Sequence, residues 1–311
     1  MMNPQDKIYV AGHRGLVGSA IMRALQTAGY TNLIFRTREE LDLMDYPAVQ
    51  KFFQAEKPDY VFLAAAKVGG VHANNIAGAD FIYENLTIQN NIVKSAHDAQ
   101  VKKLLFLGSS CIYPRDCPQP IKEEYFLDGK LEETNKPYAA AKISGILLCQ
   151  AFHKQYGDNF ISVMPTNLYG PNDNFDLETS HVFPALLRKF YDAQQNNEPT
   201  VTVWGSGSPK REFLHVDDLA SACLHFMNTY DDPEIVNIGT GEDISIKDYA
   251  ELVKEVVGYQ GEIVWDSSKP DGTPRKLLDV SKATSLGWKA KVNIRDGVTS
   301  TLAWFIDHQA K

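Results

Sequence analysis

The sequence predicts an α/β protein in which a doubly wound parallel sheet is followed by a smaller mixed α/β domain. Two observations predict this fold class. Through the first half, short runs of β-branched and aromatic residues alternate with segments of helical length, which is typical of βαβ units. After about residue 171 the alternation gives way to loops, short strand-like pieces and helices. We therefore expect a first domain at residues 1–171, with a segment near 216–241 returning to it, and a second domain at 172–311.

The apolar runs of the first half have the length and composition of buried strands, and they occupy residues 7–12, 32–37, 60–65, 103–108 and 160–165. Amphipathic stretches lie between these runs, so each crossover between parallel strands should be right-handed. The second half contains shorter strand-like pieces, TVTVWG, REFLHV, IVNIGTG and EIVWD, and a final helical stretch, VTSTLAWFIDHQ.

Composition and charge exclude several classes of partner. The formal net charge is −8 and no block of basic residues occurs, so nucleic acid and an anionic membrane surface are not expected as partners. No stretch approaches the ~20 apolar residues of a membrane span, and no apolar signal segment stands at the N-terminus. The four cysteines form no C-x-x-C pair, which predicts a reduced, cytoplasmic compartment and no metal site.

The stretch AGHRGLVGSA joins the first predicted strand to the first helix and carries Gly12, Gly15 and Gly18. Gly12 permits a tight turn, Gly15 lets the backbone approach a pyrophosphate, and Gly18 lets the helix pack closely against the strand. The free N–H groups of the helix N-terminus then face the anion. Such a triplet also occurs in plain tight turns, but the strand–turn–helix context favours a Rossmann-type dinucleotide site.

The residues after the second predicted strand indicate which dinucleotide is bound. An NAD site usually has an acidic residue there, whereas this chain has Arg36 and Arg38, with Arg14 in the glycine loop. Guanidinium groups favour a 2′-phosphate, so we predict NADP(H) as the cofactor. The alternative is a solvated basic loop, since Glu39 and Glu40 follow at once.

A possible proton donor lies in NKPYAAAKISG. Tyr138 and Lys142 are four residues apart and share one face of the predicted helix. Lys142 would lower the phenol pKa and bind the nicotinamide ribose, and Tyr138 would donate a proton to a carbonyl oxygen that Ser109 hydrogen-bonds. The alternative is an exposed helical tyrosine beside a solvated lysine.

These motifs resemble those of the extended short-chain dehydrogenases/reductases that act on nucleotide sugars. Matching stretches run nearly end to end, among them AGHRGLVGSA, LAAAKVGGV, LGSSCIYP, PTNLYGPNDNF, VWGSGSPKREFLHVDDLA and KPDGTPRKLLD. Within that family the chain is similar to the NADPH-dependent epimerase/reductases whose substrate is GDP-4-keto-6-deoxy-D-mannose. The resemblance implies epimerisation at C3 and C5 followed by reduction at C4. It also implies a homodimer formed through two long helices near residues 78–99 and 137–157.

The resemblance assigns the acid and base of the epimerisation to Cys111 and His181. Inversion next to a ketone needs a base on one face of the sugar and an acid on the other. A neighbouring cation can lower a thiol pKa of about 8.5, and histidine exchanges protons near neutrality. The alternatives are a buried structural cysteine and a histidine that merely begins a helix after Ser180.

The resemblance also assigns binding residues. The substrate residues are Lys189, Trp204, Arg211 and Asp271, with a surface charge or a core aromatic as the alternative for each. The residues assigned to the cofactor are Gly12, His13, Arg14, Gly15, Leu16, Val17, Gly18, Arg38, Asp42, Leu43, Leu107, Gly108, Lys142, Pro165, Asn167, Leu168 and His181.

Two other functions are alternatives to this one. The first is another nucleotide-sugar enzyme of the same fold, a 4-epimerase or a 4,6-dehydratase, which retains NAD. The arginine pair argues against it, and so does a cysteine where such dehydratases carry an acidic pair. The second is a catalytically inactive NADP-sensing module, which the presence of both Tyr138 and Lys142 argues against.

Overall fold

The computed structural model describes residues 1–269 and 271–308. Its strands are β1 (Ile8–Ala11), β2 (Leu33–Ile34), β3 (Tyr60–Leu63), β4 (Lys103–Leu107), β5 (Phe160–Pro165), β6 (Asn167–Tyr169), β7 (Thr200–Trp204), β8 (Lys210–Arg211), β9 (Phe213–His215), β10 (Val236–Ile238), β11 (Ile244–Ser245), β12 (Glu262–Asp266) and β13 (Arg275–Lys276).

The α-helices are α1 (Leu16–Thr27), α2 (Tyr46–Glu56), α3 (Val71–Ile76), α4 (Gly78–Asp98), α5 (Lys136–Tyr156), α6 (Val182–Gln195), α7 (Val216–Thr229), α8 (Ile246–Val257), α9 (Ser281–Ser285) and α10 (Ile294–His308). Short 3-10 helices occupy Ser110–Ile112, Glu123–Tyr125 and Glu133–Asn135. The predicted final helix reached residue 309, which lies outside the described residues.

The central sheet has six parallel strands in the order β10-β5-β4-β3-β1-β2. The chain adds β2 on one side of β1 and then β3 on the other, so the strand order reverses at β1. In such sheets, ligands bind beyond the carboxyl ends of the strands at this switch point. The predicted fold class is confirmed, although β2 covers only part of the run expected at 32–37.

The central strands are buried along their whole length because helices cover both faces of the sheet. Alternate residues point to opposite faces, as in any β-strand. Ile8, Phe62 and Leu105 pack in one core with residues of α1 and α7. Tyr9 and Phe106 pack in a second core with residues of α2, α4 and α5.

The segment at 216–241 contributes one strand and one helix beside the central sheet. Strand β10 pairs with β5 in register Val236 with Val163, and α7 contributes Leu219 and Phe226 to the first core. The division of the chain into two domains stays a prediction.

The remaining elements form a third core around α6, α8 and α10, with Phe183, Phe190, Tyr249, Val253 and Phe305 among its buried members. Small sheets frame this core. Strand β8 pairs with β11 and β13, β7 pairs with β12, and β6 pairs with β9. Within the described part of the chain, no helix is long and apolar enough to cross a bilayer.

Candidate active site

The glycine loop between β1 and α1 leaves no room for side chains at two of its positions. Gly12 has φ +86°, and a Cβ there would lie 2.7 Å from the backbone nitrogen of Ala65. A Cβ on Gly18 would lie 2.0 Å from the Gly12 carbonyl oxygen, so the helix packs directly on the turn. At Gly15 the nearest atom would be 3.6 Å away, and no described side chain caps the helix start. The loop therefore fits a pyrophosphate at the α1 N-terminus.

The two arginines after β2 are placed differently. Arg36 donates to a Glu56 carboxylate oxygen at 2.6 Å and to the Phe35 carbonyl at 2.8 Å, and its guanidinium lies 5.4 Å from the Phe52 ring centre. Arg38 and Arg14 are exposed. Arg36 is thus engaged in an internal ion pair, and of the predicted pair Arg38 is the one open to a ligand.

The predicted Ser–Tyr–Lys trio does come together at the end of β4. Ser109 Oγ accepts the Cys111 N–H at 3.3 Å and lies near enough to the Tyr138 phenol to influence its pKa. Lys142 Nζ donates to the Leu107 carbonyl at 2.8 Å and lies 5.7 Å from the Tyr138 ring centre. A Cβ on Gly108 would lie 2.4 Å from the Met164 sulfur, so a larger residue there would have to displace the end of that side chain.

Burial determines the protonation of the trio. Burial raises the pKa of Tyr138, the nearby Cys111 raises it further, and the Ser109 hydrogen bond opposes the shift. Burial lowers the pKa of Lys142 to about 8, with Cys111 opposing that shift. Tyr138 is therefore a protonated phenol at neutral pH, as a proton donor must be. The expectation that Lys142 lowers the phenol pKa is wrong in direction for this structure, because burial raises that pKa.

Cys111 lies in the 3-10 turn that follows Ser109 and is 8% exposed. Burial raises the pKa of its thiol, while the Lys276 ammonium, a hydrogen bond with Ser109 and the Lys142 ammonium oppose that shift. The expectation of a lowered thiol pKa is therefore wrong in direction for this structure, because burial outweighs the cations that are present.

His181 stands immediately before α6, and its side chain does not cap that helix. Solvent reaches the His181 ring. Desolvation by the surrounding protein is the larger cause of its lowered pKa, and the Lys276 ammonium is the smaller one. The preceding loop is fixed by the Gly70 N–H, which donates to the Thr179 carbonyl at 2.9 Å. A Cβ on Gly70 would lie 2.5 Å from the Ser180 carbonyl oxygen, so the two loops touch.

Lys276 is a site residue that the sequence analysis missed. It pairs with Arg211 across β13 and β8, and its ammonium interacts electrostatically with Cys111 and His181. Burial lowers the pKa of Lys276, and Cys111 opposes that shift. The residue lies within the quoted stretch KPDGTPRKLLD, but no local pattern there distinguishes it from Arg275.

The four predicted substrate residues lie on and around β7, β8 and α6. Trp204 is 64% exposed, and the ammonium groups of Lys189 and Lys269 lie 5.5 and 5.4 Å from its ring centre. The Asp271 carboxylate accepts hydrogen bonds from the Ser206 N–H at 2.9 Å and from the Ser206 hydroxyl at 2.7 Å. Burial lowers the pKa of Arg211, and Asp271 opposes that shift. The position of Lys269 beside the Trp204 ring was not predicted from the sequence.

The other predicted cofactor residues border the same edge of the sheet. Leu16 and Val17 form the first turn of α1, the His13 ring lies 4.7 Å from that of Phe35, and the Leu43 carbonyl accepts from Asn91 at 2.9 Å. Asp42 accepts the Met44 N–H at 3.0 Å. Pro165 ends β5, and Asn167 and Leu168 belong to β6.

A glycine loop and a Ser–Tyr–Lys trio at the carboxyl edge of one parallel sheet define a dinucleotide-binding protein of the short-chain dehydrogenase type. The profile of the NAD dependent epimerase/dehydratase family matches residues 8–239, and the chain belongs to this family.

Three similar proteins extend over almost the whole chain. GDP-L-fucose synthase 1 of Arabidopsis thaliana is 59% identical, with 98% of this chain and 95% of that protein covered. GDP-L-fucose synthase of Escherichia coli strain K12 is 53% identical, with 98% of each covered. The crystal structure of a GDP-L-fucose synthetase from Naegleria fowleri bound to NADP has a TM-score of 0.92 at 32% identity, covering 99% of this chain and 94% of that one.

The pKa of Lys142 predicts a pH dependence of stability. An unfolded lysine has a pKa of 10.5 and the folded one about 8, so between these values the unfolded chain holds the extra proton. The free energy of unfolding therefore rises with pH in that window. Relative to Lys142→Met, the natural protein should gain about 2 kcal/mol between about pH 7.5 and about pH 9.5.

Urea unfolding at the two pH values measures this gain. Lys154→Met removes an exposed lysine from the same helix and should leave the pH dependence of the natural protein unchanged. Parallel curves for the natural protein and Lys142→Met would contradict the lowered pKa.

Proposed function

We propose that the protein converts GDP-4-keto-6-deoxy-D-mannose to GDP-L-fucose by epimerising C3 and C5 and then reducing C4 with NADPH. The single observation that carries this proposal is the position of Cys111 beside the reductase trio, where its N–H donates to Ser109 at 3.3 Å and Lys276 acts electrostatically on both Cys111 and His181. A simple reductase has no use for a second acid and base. Relatives named GDP-L-fucose synthase that cover nearly the whole chain support the same reaction.

In the reduction, NADPH supplies the hydride when bound. Tyr138 gives its phenolic proton to the C4 oxygen as negative charge develops there, and Ser109 donates a hydrogen bond to the same oxygen. Lys142 holds a positive charge behind the phenol and stabilises the phenolate that remains. The Leu107 carbonyl orients its ammonium.

In the epimerisations, the protons at C3 and C5 are acidic because both carbons neighbour the C4 ketone. The Cys111 thiolate takes a proton from carbon, and the electron pair moves to the C4 oxygen, where Ser109 and Tyr138 hydrogen-bond the enolate. His181 in its imidazolium form then gives a proton to carbon from the opposite face and becomes neutral imidazole. Cys111, now a thiol, must lose its proton and His181 must regain one before the second inversion. The ammonium groups of Lys276 and Lys142 favour the thiolate that begins this sequence.

The substrate's diphosphate would be bound by Lys189 and Arg211, and its guanine would stack on the exposed Trp204 ring. Asp271 would accept hydrogen bonds from the nucleoside. Net consumption of NADPH separates this function from a 4-epimerase or a 4,6-dehydratase, which regenerate their cofactor.

We also infer a homodimer in the cytoplasm. Helices α4 and α5 lie side by side and carry the exposed apolar residues Tyr83, Leu147 and Tyr156, which a second copy would cover. Leu147→Asp should convert the dimer to a monomer in sedimentation equilibrium. A monomer mass for the natural protein at micromolar concentration would contradict the inference.

The placement of the two arginines predicts cofactor preference. Losing a charge-assisted contact with the 2′-phosphate costs about 1.5–3 kcal/mol, so Arg38→Ala should weaken NADPH binding about ten- to a hundredfold and leave NADH binding little changed. Arg36→Ala is the matched control, because Arg36 is engaged with Glu56 and its loss should lower stability without changing the preference. Titration of both cofactors measures this. Equal losses of affinity for NADPH and NADH in Arg38→Ala would contradict the assignment of Arg38 to the 2′-phosphate.

The proposed function is tested with the keto sugar itself. In D₂O without cofactor, the natural protein should exchange deuterium into C3 and C5, and with NADPH it should yield GDP-L-fucose. Cys111→Ala should exchange far less, because no base remains, and should reduce C4 slowly to an unepimerised 6-deoxy sugar.

Cys117→Ala removes a thiol from the same loop and should retain both exchange and the product. Proton magnetic resonance of the sugar gives both readouts. Full exchange by folded Cys111→Ala would refute the role of the thiol, and no turnover by the natural protein would refute the function.

A further inference from the structure

A buried carboxylate that has no role in the proposed reaction follows directly after Arg211 in the chain. Glu212 connects β8 to β9 and is 0% exposed. One of its carboxylate oxygens accepts the Leu278 N–H at 2.9 Å, and the other accepts the Gly241 N–H at 2.8 Å. The carboxylate also packs tightly against Gly239, because a Cβ on that residue would lie 2.2 Å from the second oxygen. A buried carboxylate is tolerated only when it is satisfied in this way.

The main chain of Glu212 adds further links. Its N–H donates to the Lys276 carbonyl at 3.3 Å, and its carbonyl accepts from the Asn167 amide at 2.9 Å. Glu212 therefore bonds to the chain on both sides of Leu277: to Lys276 through its main chain and to Leu278 through its side chain. The same residue reaches the segment after β5 and the loop after β10.

These links matter because the strands that carry the two cations are very short. Arg211 and Lys276 face each other in β8 and β13, and each of these strands has two residues. Strands of that length are not stable alone. The bonds of Glu212 fix the position of Lys276 relative to Arg211, its own neighbour in sequence.

We propose that Glu212 is a positioning residue that holds Lys276 beside Cys111 and Arg211 beside the substrate's diphosphate. The proposal rests on the proposed function. Glu212 touches neither substrate nor cofactor in this account, and it acts through the two cations.

Glu212→Gln is the decisive variant. Each carboxylate oxygen faces a different backbone N–H, so the amide must set its own NH₂ against one of them and lose that bond. GDP, the diphosphate portion of the substrate, should then bind about ten- to thirtyfold more weakly in calorimetry, in keeping with one lost bond to a charged group. NADPH affinity should stay within about twofold, because the substitution changes only the side chain and leaves the Glu212 carbonyl bonded to Asn167, and because the glycine loop and Arg38 belong to other elements. The midpoint of the pH profile for deuterium exchange should move to higher pH, because Cys111 loses the stabilising ammonium.

Asp218→Asn is the matched control for losing a buried carboxylate charge. Asp218 is also buried and accepts two backbone N–H groups, from Lys291 and Val292, at 3.0 and 2.8 Å. These bonds hold the chain before α10, so GDP affinity and the exchange profile should remain those of the natural protein. If Glu212→Gln does not fold, Glu212→Asp keeps the charge but shortens the reach, and it should show the same losses in smaller degree.

The outcomes separate the two proposals. GDP affinity within about twofold of the natural protein in a folded Glu212 variant would overturn the positioning role. An equal loss for GDP and NADPH would also overturn it, because that result indicates general loosening. Failure of the natural protein to bind GDP would instead overturn the proposed function on which this role depends.

Discussion

Buried backbone groups in irregular segments must find hydrogen-bond partners, and this constraint determines how the site is assembled. Asn237 of β10 is fully buried and satisfies several segments at once. Its amide oxygen accepts the Tyr113 phenol at 2.5 Å, and its nitrogen donates to the carbonyls of Ile121 and Asp279 at 2.9 and 3.2 Å. Tyr113 lies two residues after Cys111, so the edge strand of the sheet fixes the turn that carries the thiol. The C-terminal segment that carries Lys276 is fastened to the same strand.

The pKa values of Cys111 and of the ionisable groups around it depend on one another. Burial raises the pKa of the thiol and of Tyr138 and lowers the pKa values of Lys142 and Lys276. Each ammonium opposes the shift of Cys111, and Cys111 opposes the shift of each ammonium. The two ammonium groups therefore offset part of the cost that burial imposes on a Cys111 thiolate, although burial remains the larger effect. One low-dielectric site can in this way offer a base at Cys111 and a proton donor at Tyr138.

The sequence predicted what depends on local pattern. The glycine loop, the parallel sheet and the spacing of Tyr138 and Lys142 all follow from short motifs with their own periodicity. The local pattern alone did not distinguish Arg36 from Arg38, and only the family resemblance assigned Arg38 to the cofactor. The structural difference between them depends on Glu56, twenty residues after Arg36 in the next helix. Lys276 was missed for a similar reason, since its position is set by pairing with Arg211 across two-residue strands that have no periodicity.

The cations of the proposed substrate site are placed at an electrostatic cost. Burial lowers the pKa values of Lys189, Arg211 and Lys276, which means that the surroundings disfavour their positive charge. A bound diphosphate would remove this cost by supplying the missing counter-charge, so part of the unfavourable energy stored in folding would return as binding energy. The net charge of −8 does not prevent this. Charges farther away than about 10 Å are largely screened at ordinary salt concentrations, so the few side chains around the ligand decide its affinity.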